Sequence, residues 1–221
     1  MGMATDRQAS WRRRALAGVA TGCVLAGVTT GSLGGTAAYA AHVTKAFRPP
    51  ANAVVAASDA QNGPLTGFRN LPSAVWVKEG PLDAGWTMEQ NHVKAVAVAS
   101  DPTNGPLIAV LDNGGTVWAQ EGSLTAGWTV EQSCVQSVAV ASDPTNGPLI
   151  AILDNAGTAW AKEGTINAGW TRERGRVRAL AVASDTQNGP LLAILNLARS
   201  VWVKEGSLNA GWVFEKGGGR G

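Results

Sequence analysis

From Val93 to Ser100 the chain reads VKAVAVAS, an alternation of Val and Ala that repeats every two residues. That period, with its β-branched content, predicts a strand rather than a helix. Asp101-Pro102-Thr103-Asn104-Gly105 follows, and its Asn-Gly pair suits the positive φ angles of a hairpin turn. A second strand is predicted over Leu107 to Asp112, stopped by Asn113-Gly114-Gly115. Thr116 to Gln120 gives a third and Trp128 to Gln132 a fourth, separated by a loop around Glu121-Gly122 and Ala126-Gly127.

The same pattern recurs every 42 residues, in register with Gly63-Pro64-Leu65, Gly105-Pro106-Leu107, Gly147-Pro148-Leu149 and Gly189-Pro190-Leu191. Such a period marks a repeat architecture, and four short antiparallel strands per repeat match one propeller blade. The expected fold is therefore all-β, a β-propeller-like array of four four-stranded antiparallel blades. The blades are placed at 52–92, 93–134, 135–176 and 177–216, together forming one domain over 52–216. A linker over 41–51 precedes them and a Gly-rich tail over 217–221 follows. Inner strands rich in Ala, such as Ala95, Ala97 and Ala99, suit a crowded approach to a propeller axis. Closure of four blades within one chain and completion by oligomerisation both remain open, because an open array exposes sheet surfaces to another chain.

Residues 1–40 read as an export signal. Trp11-Arg12-Arg13-Arg14 supplies a positive region, Ala15 to Thr30 an apolar run, and Ala38-Tyr39-Ala40 a small-x-small cleavage site. The run is shorter than the roughly 20 residues that span a bilayer, so the expected location is secreted and extracellular, with no membrane association after cleavage. Paired arginines admit the twin-arginine route beside the general one. Four arginines and one aspartate fall in this segment, so the chain's 18 basic and 16 acidic residues become 14 and 15. A near-neutral mature chain argues against a nucleic-acid partner. Cys134 alone remains after cleavage, which excludes an intrachain disulfide; His92 and Arg176 occupy its place in neighbouring copies, as at a tolerant turn.

The strand VQSVAVAS, then LIAVLDN, then GTVWAQEG resembles the tectonin and tachylectin type of lectin propeller repeat. Lys204 to Trp212, KEGSLNAGW, is similar to tandem repeats of secreted actinobacterial proteins. The resemblance covers 52–216 and implies a blade array that binds sugars between or on its blades. This chain departs from it in having four copies where tachylectin-like proteins have five or more.

No localized constellation suggests catalysis: His42 and His92 are the only histidines, and no catalytic residue is assigned. One Cys and two His make no zinc set, and no cofactor is expected. Asp59, Asp101, Asp143 and Asp185, each three residues before an Asn, suit turn chemistry better than calcium binding. Every remaining Trp falls at one of two repeat positions: Trp76, Trp118, Trp160 and Trp202 form one series, Trp86, Trp128, Trp170 and Trp212 the other. An indole stacks on a sugar face and donates through its N–H, so both series are carbohydrate-binding candidates, with core packing as the competing role. Counting from a hairpin centred near Ser123 places Trp118 opposite Trp128. The expected function is a secreted multivalent lectin for a glycan or cell-surface polysaccharide. The alternative is a noncatalytic protein-interaction or assembly module. Protein recovered from the medium is expected to begin at Ala41; an intact amino terminus recovered with membranes would refute cleavage.

Overall fold

The computed structural model describes residues 53–217 except 71; the segments expected to be the export signal and the linker, and the last residues of the Gly-rich tail, lie outside the described residues. Sixteen strands form four separate antiparallel sheets, each a meander in chain order. The first contains β1 (Ala53–Asp59), β2 (Gly63–Arg69), β3 (Val75–Glu79) and β4 (Thr87–Gln90). In the second are β5 (Val93–Asp101), β6 (Gly105–Asp112), β7 (Val117–Glu121) and β8 (Thr129–Gln132). The third holds β9 (Val135–Asp143), β10 (Gly147–Asp154), β11 (Ala159–Glu163) and β12 (Thr171–Arg174). The fourth ends the array with β13 (Val177–Asp185), β14 (Gly189–Asn196), β15 (Val201–Glu205) and β16 (Val213–Lys216). Innermost strands β1, β5, β9 and β13 contact one another in that order, which stacks the sheets as successive blades of a propeller-like array.

The hydrophobic cores lie between blades. One cluster combines Ala97, Ala99, Leu107, Ala109, Val117 and Ala119 of blade 2 with Val138, Val140, Ile150, Ile152, Trp160 and Trp170 of blade 3. Equivalent clusters join blades 1 and 2 and blades 3 and 4. The alternation in VKAVAVAS therefore separates small from large rather than polar from apolar. Ala97 and Ala99 face the following blade, while Val96 and Val98 face the preceding one. A bulky leading face thus packs on a small-residue trailing face, which lets two sheets approach closely at interior packing density.

The turn after each inner strand also joins neighbours. Asp143 accepts the backbone N–H of Thr145 at 2.9 Å and of Asn146 at 2.8 Å through Oδ1. Its Oδ2 accepts the Ser184 hydroxyl of the next blade. Ser100 donates to Asp59 and Ser142 to Asp101 in the same way, so the Asp-Asn motif is structural. The hairpin connection is three residues, not two: Asp143 pairs with Gly147, which alone takes positive φ, 74°. A Cβ at Gly147 would lie 2.5 Å from the Gly164 carbonyl oxygen, a second reason for glycine there. Asn146 instead uses its side chain, donating to the Asp143 carboxylate. Cys134 is exposed in the turn between blades with φ 60°, as are the φ values of His92 and Arg176.

Burial pushes the Asp59 and Asp143 carboxyls up, but the Asn and Ser hydrogen bonds outweigh it and hold both below the ordinary carboxylate value. A folded value below that of the unfolded chain, about 3.9, means that this stabilisation is complete above it and is lost as pH falls through the folded value. Stability should therefore drop below about pH 4. Asp143→Asn should cost about 1–3 kcal/mol at neutral pH and reduce the acid-induced loss. Unfolding curves from pH 7 to 2.5 would check both; an unchanged acid profile in the variant would contradict the assignment.

Candidate functional site

The first Trp series sits on the third strand of each blade, and Trp118, Trp160 and Trp202 pack toward the core shared with the preceding blade. In blade 2 the Trp118 indole N–H donates to Asp112 Oδ2 at 3.1 Å, and in blade 3 Trp160 donates to Asp154 Oδ2 at 2.9 Å. The other carboxylate oxygen of each Asp accepts a backbone N–H, from Thr116 and Thr158 respectively. Burial raises the Asp112 carboxyl, but its N–H donors, led by Thr116 and Trp118, overcome that and hold it low. Blades 1 and 4 carry Asn70 and Asn196 at this position. Each Asn oxygen is used by a backbone N–H, from Ala74 or Ser200. The remaining amide group is a donor, so the buried indole nitrogens of Trp76 and Trp202 have no partner.

Trp118 does not face Trp128. Register places Trp118 opposite Val130, Trp76 opposite Met88, Trp160 opposite Arg172 and Trp202 opposite Phe214. The pairs nearest the turn, Ala119 with Thr129 and Trp118 with Val130, already centre the hairpin on Leu124 rather than Ser123, in a loop where the Ala126 N–H donates to the Ser123 carbonyl; the bulge between Val117 and Trp118 lies farther along the strands. Trp128 precedes β8 and packs into the core between blades 1 and 2. Trp170 and Trp212 pack equivalently, and the Trp170 indole N–H reaches the Glu131 carbonyl of the preceding blade at 3.3 Å. Lys162 lies 5.2 Å over the Trp170 ring and Lys204 5.1 Å over Trp212, so one face of these indoles is occupied by a cation. Trp86 has Lys78 over it at 5.1 Å and an edge contact from Phe68 at 4.8 Å.

Those lysines also tie blade to blade. Lys162 pairs with Glu131, the two side chains only 3% and 2% exposed, and Lys204 pairs with Glu173. Between blades 1 and 2 the cation is replaced by Gln120, whose amide donates to the Ser123 carbonyl at 2.8 Å. Glu89 Oε1 and Gln120 Oε1 are buried without hydrogen bonds, and burial pushes the Glu89 carboxyl up to about 7. The Glu partners of Lys162 and Lys204 lie 31 residues away, on an adjacent sheet, and local spacing carries no signal for them.

A cleft of about 320 Å³ opens at the junction of blades 1 and 2. Gln90, Asn91 and His92 form one wall, and Asp112, Asn113, Gly114 and Trp118 form the other, over a floor of Val93 and Val110. It brings one indole together with amide, carboxylate and imidazole groups. At the equivalent junction of blades 3 and 4, the Arg174 guanidinium lies 3.9 Å over the Trp202 ring and takes that face. Among the described residues, no group of three or more His, Cys, Asp or Glu is placed to hold a metal ion. Of the eight sequence candidates, Trp118 alone lines this cleft; Trp118, Trp160 and Trp202 of the first series and Trp128, Trp170 and Trp212 of the second all pack, half-buried, against inter-blade cores.

No protein-family model matches the chain, and no curated protein matches it in sequence. Among solved structures, a triple arginine-to-alanine variant of AofleA from Arthrobotrys oligospora is similar, with a TM-score of 0.52 at 10% identity. The match covers 74% of this chain and 55% of that one, so the chain spans little more than half its length. AofleA itself gives 0.48 at 13% identity over the same shares. The lectin of Aleuria aurantia, described as a fungal lectin with a six-bladed β-propeller fold and a novel fucose recognition mode, gives 0.44 at 9%, covering 74% and 62%. The first of these likenesses concerns the fold alone.

The unpaired Glu89 generates a prediction with a defined sign. Its folded value lies above 4.5, so the ionised form opposes folding: the associated stability is present at low pH and is lost as pH rises from about 4.5 through about 7. Gln120→Lys restores the pairing seen in blades 3 and 4 and should add about 1 kcal/mol or more at pH 8 but little at pH 4. Thermal unfolding at the two pH values would check this; an equal gain at both would show that Glu89 ionisation is not involved.

Proposed function

We propose that the protein is a secreted, noncatalytic, multivalent carbohydrate-binding protein whose sugar subsites are the inter-blade clefts at the first Trp series. The cleft at Trp118 carries the proposal. Sugars present flat C–H faces bordered by hydroxyls, and an indole beside groups that both donate and accept hydrogen bonds suits that surface. The Asp112 hydrogen bond fixes the Trp118 ring before any ligand arrives, which lowers the ordering cost of binding. Asp112 and Gln90 supply acceptors and Asn113 supplies donors at the cleft margin.

Blade 3 repeats the motif with Gln132, Asp154, Asn155 and Trp160, giving two Asp-held indoles in one chain. Two weak sites on one rigid array gain apparent affinity for a polymer or a decorated surface through a high effective concentration of the second site. This makes a cell-surface polysaccharide a better target than a free monosaccharide. The fold shared with a propeller variant at a TM-score of 0.52 is compatible with this reading, and the family resemblance of the repeats points the same way.

A glycan array probed with the protein, with free-sugar competition, tests the proposal directly. Trp118→Ala should weaken binding at least tenfold while costing less stability than the about 3–5 kcal/mol expected for a fully buried aromatic. Trp128→Ala, whose half-buried ring packs against the same inter-blade core but does not line the cleft, should cost a similar amount of stability and leave binding by the folded protein unchanged. Absence of glycan binding by the parent, or unchanged binding by Trp118→Ala, would remove the proposal.

A further inference from the structure

We propose that this chain assembles head to tail with a second copy of itself, the trailing face of blade 4 covering the leading face of blade 1. The interface would repeat the contact already made three times inside the chain. Each internal junction seats a bulky leading face on a small trailing face. Both end faces lack that cover among the described residues.

The leading end is bulky and exposed. Val54 is 69% exposed, Leu82 83% and Trp86 42%, whereas their counterparts at the internal junctions, such as Val138, Ile166 and Trp170, pack into a core. Ala56 and Thr66 are smaller than the equivalent Val and Ile of blade 3, but Phe68 and Trp76 keep the face apolar. The trailing end is the matching surface. Ala181, Ala183, Leu191, Ala193, Val201 and Val203 stand where blade 2 has Ala97, Ala99, Leu107, Ala109, Val117 and Ala119, and all six are half-buried where the blade 2 set is fully buried. One open face is thus shaped to receive the other, and neither is shaped to receive itself. A contact between unlike faces leaves one of each unused unless copies close into a ring. Two chains facing each other at both junctions satisfy all four faces.

Polar groups at the two ends complete the same argument. Two of the three internal junctions pair a Glu of the fourth strand with a Lys of the next blade's third strand, Glu131 with Lys162 and Glu173 with Lys204. The end residues at these positions are Glu215 on blade 4 and Lys78 on blade 1. Lys78 reaches only the Leu82 carbonyl and the Trp86 ring, and Glu215 is exposed. Internal junctions also join an Asp of one blade to a Ser hydroxyl of the next. At the ends, Asp185 bonds only within its own turn and Ser58 is exposed. Opposite charges and a donor with its acceptor therefore await each other at the register that the repeat dictates.

Native mass spectrometry of the full protein at micromolar concentration tests the proposal; a mass of two chains is expected. Lys78→Glu and Glu215→Lys should each weaken association at least tenfold, since like charges then meet in a buried position. Mixing the two variants should restore the oligomer with one chain of each, because every junction of the mixed ring pairs opposite charges. Val54→Arg, at a solvent-facing position of the isolated chain, should give a folded monomer. Val130→Arg, also at an exposed position but on the outermost strand of blade 2, should leave the mass unchanged. A single-chain mass for the parent would overturn the proposal, as would an oligomer that persists in Lys78→Glu, Glu215→Lys and Val54→Arg alike. Glycan binding by such a monomer would leave the carbohydrate reading standing, so the two failures are distinguishable.

Discussion

The fold depends on covering both faces of every sheet. A four-stranded blade of this sequence is apolar on each side, since β5 and β9 place Ala on one face and Val on the other with little polar surface between. Such a sheet is insoluble alone, and its stability comes from the next sheet, with about 25 cal/mol contributed per Å² of apolar surface removed from water. Blades 2 and 3 are covered twice and hold most of the buried apolar residues; blades 1 and 4 are covered once. Repeat arrays have this property in general, stability arising at nearest-neighbour contacts, which makes terminal repeats different in kind from internal ones.

Polar contacts set the register of that stacking. Apolar faces slide easily past one another, whereas an Asp that accepts two backbone N–H groups and a Ser hydroxyl from the next blade has one position in which all bonds form. The buried Lys–Glu pairs act at the other side of the blade, where each ammonium also caps the carbonyl of Ile166 or Leu208. Their net contribution to stability is modest because desolvation opposes the charge attraction, but removing one partner leaves a buried charge behind. Junction 1–2 illustrates the alternative, with a Gln in place of Lys and a carboxyl that burial shifts toward neutrality.

Departures from perfect repetition concentrate chemistry in particular places. Asp at 112 and 154 fixes an indole, while Asn at 70 and 196 leaves one unpartnered. Arg174 covers Trp202, whereas the corresponding place near Trp118 is occupied by Gln90 and the cleft stays open. Four copies of one sequence thus give unequal sites, and the inequality arises from single polar substitutions rather than from changes in backbone.

The amino-acid sequence by itself determined the strands, the turns and the blade repeat, because alternation, Asn-Gly turns and a 42-residue period act over short distances. Strand limits at β5 to β8 fall within about two residues of the positions expected from pattern alone. It also marked both Trp series, but it paired Trp118 with Trp128 where the structure pairs it with Val130. The loop between Ala119 and Thr129 centres that hairpin one residue later than expected, which moves the partner of Trp118 by two, and the hydrophobic pattern carries no trace of the shift. Only the tertiary structure decided which indoles line a cleft, which acids meet a lysine or a serine, and which two faces stay open. Those outcomes depend on groups a blade apart in sequence meeting across a gap between sheets, where packing geometry rather than local propensity selects the partner.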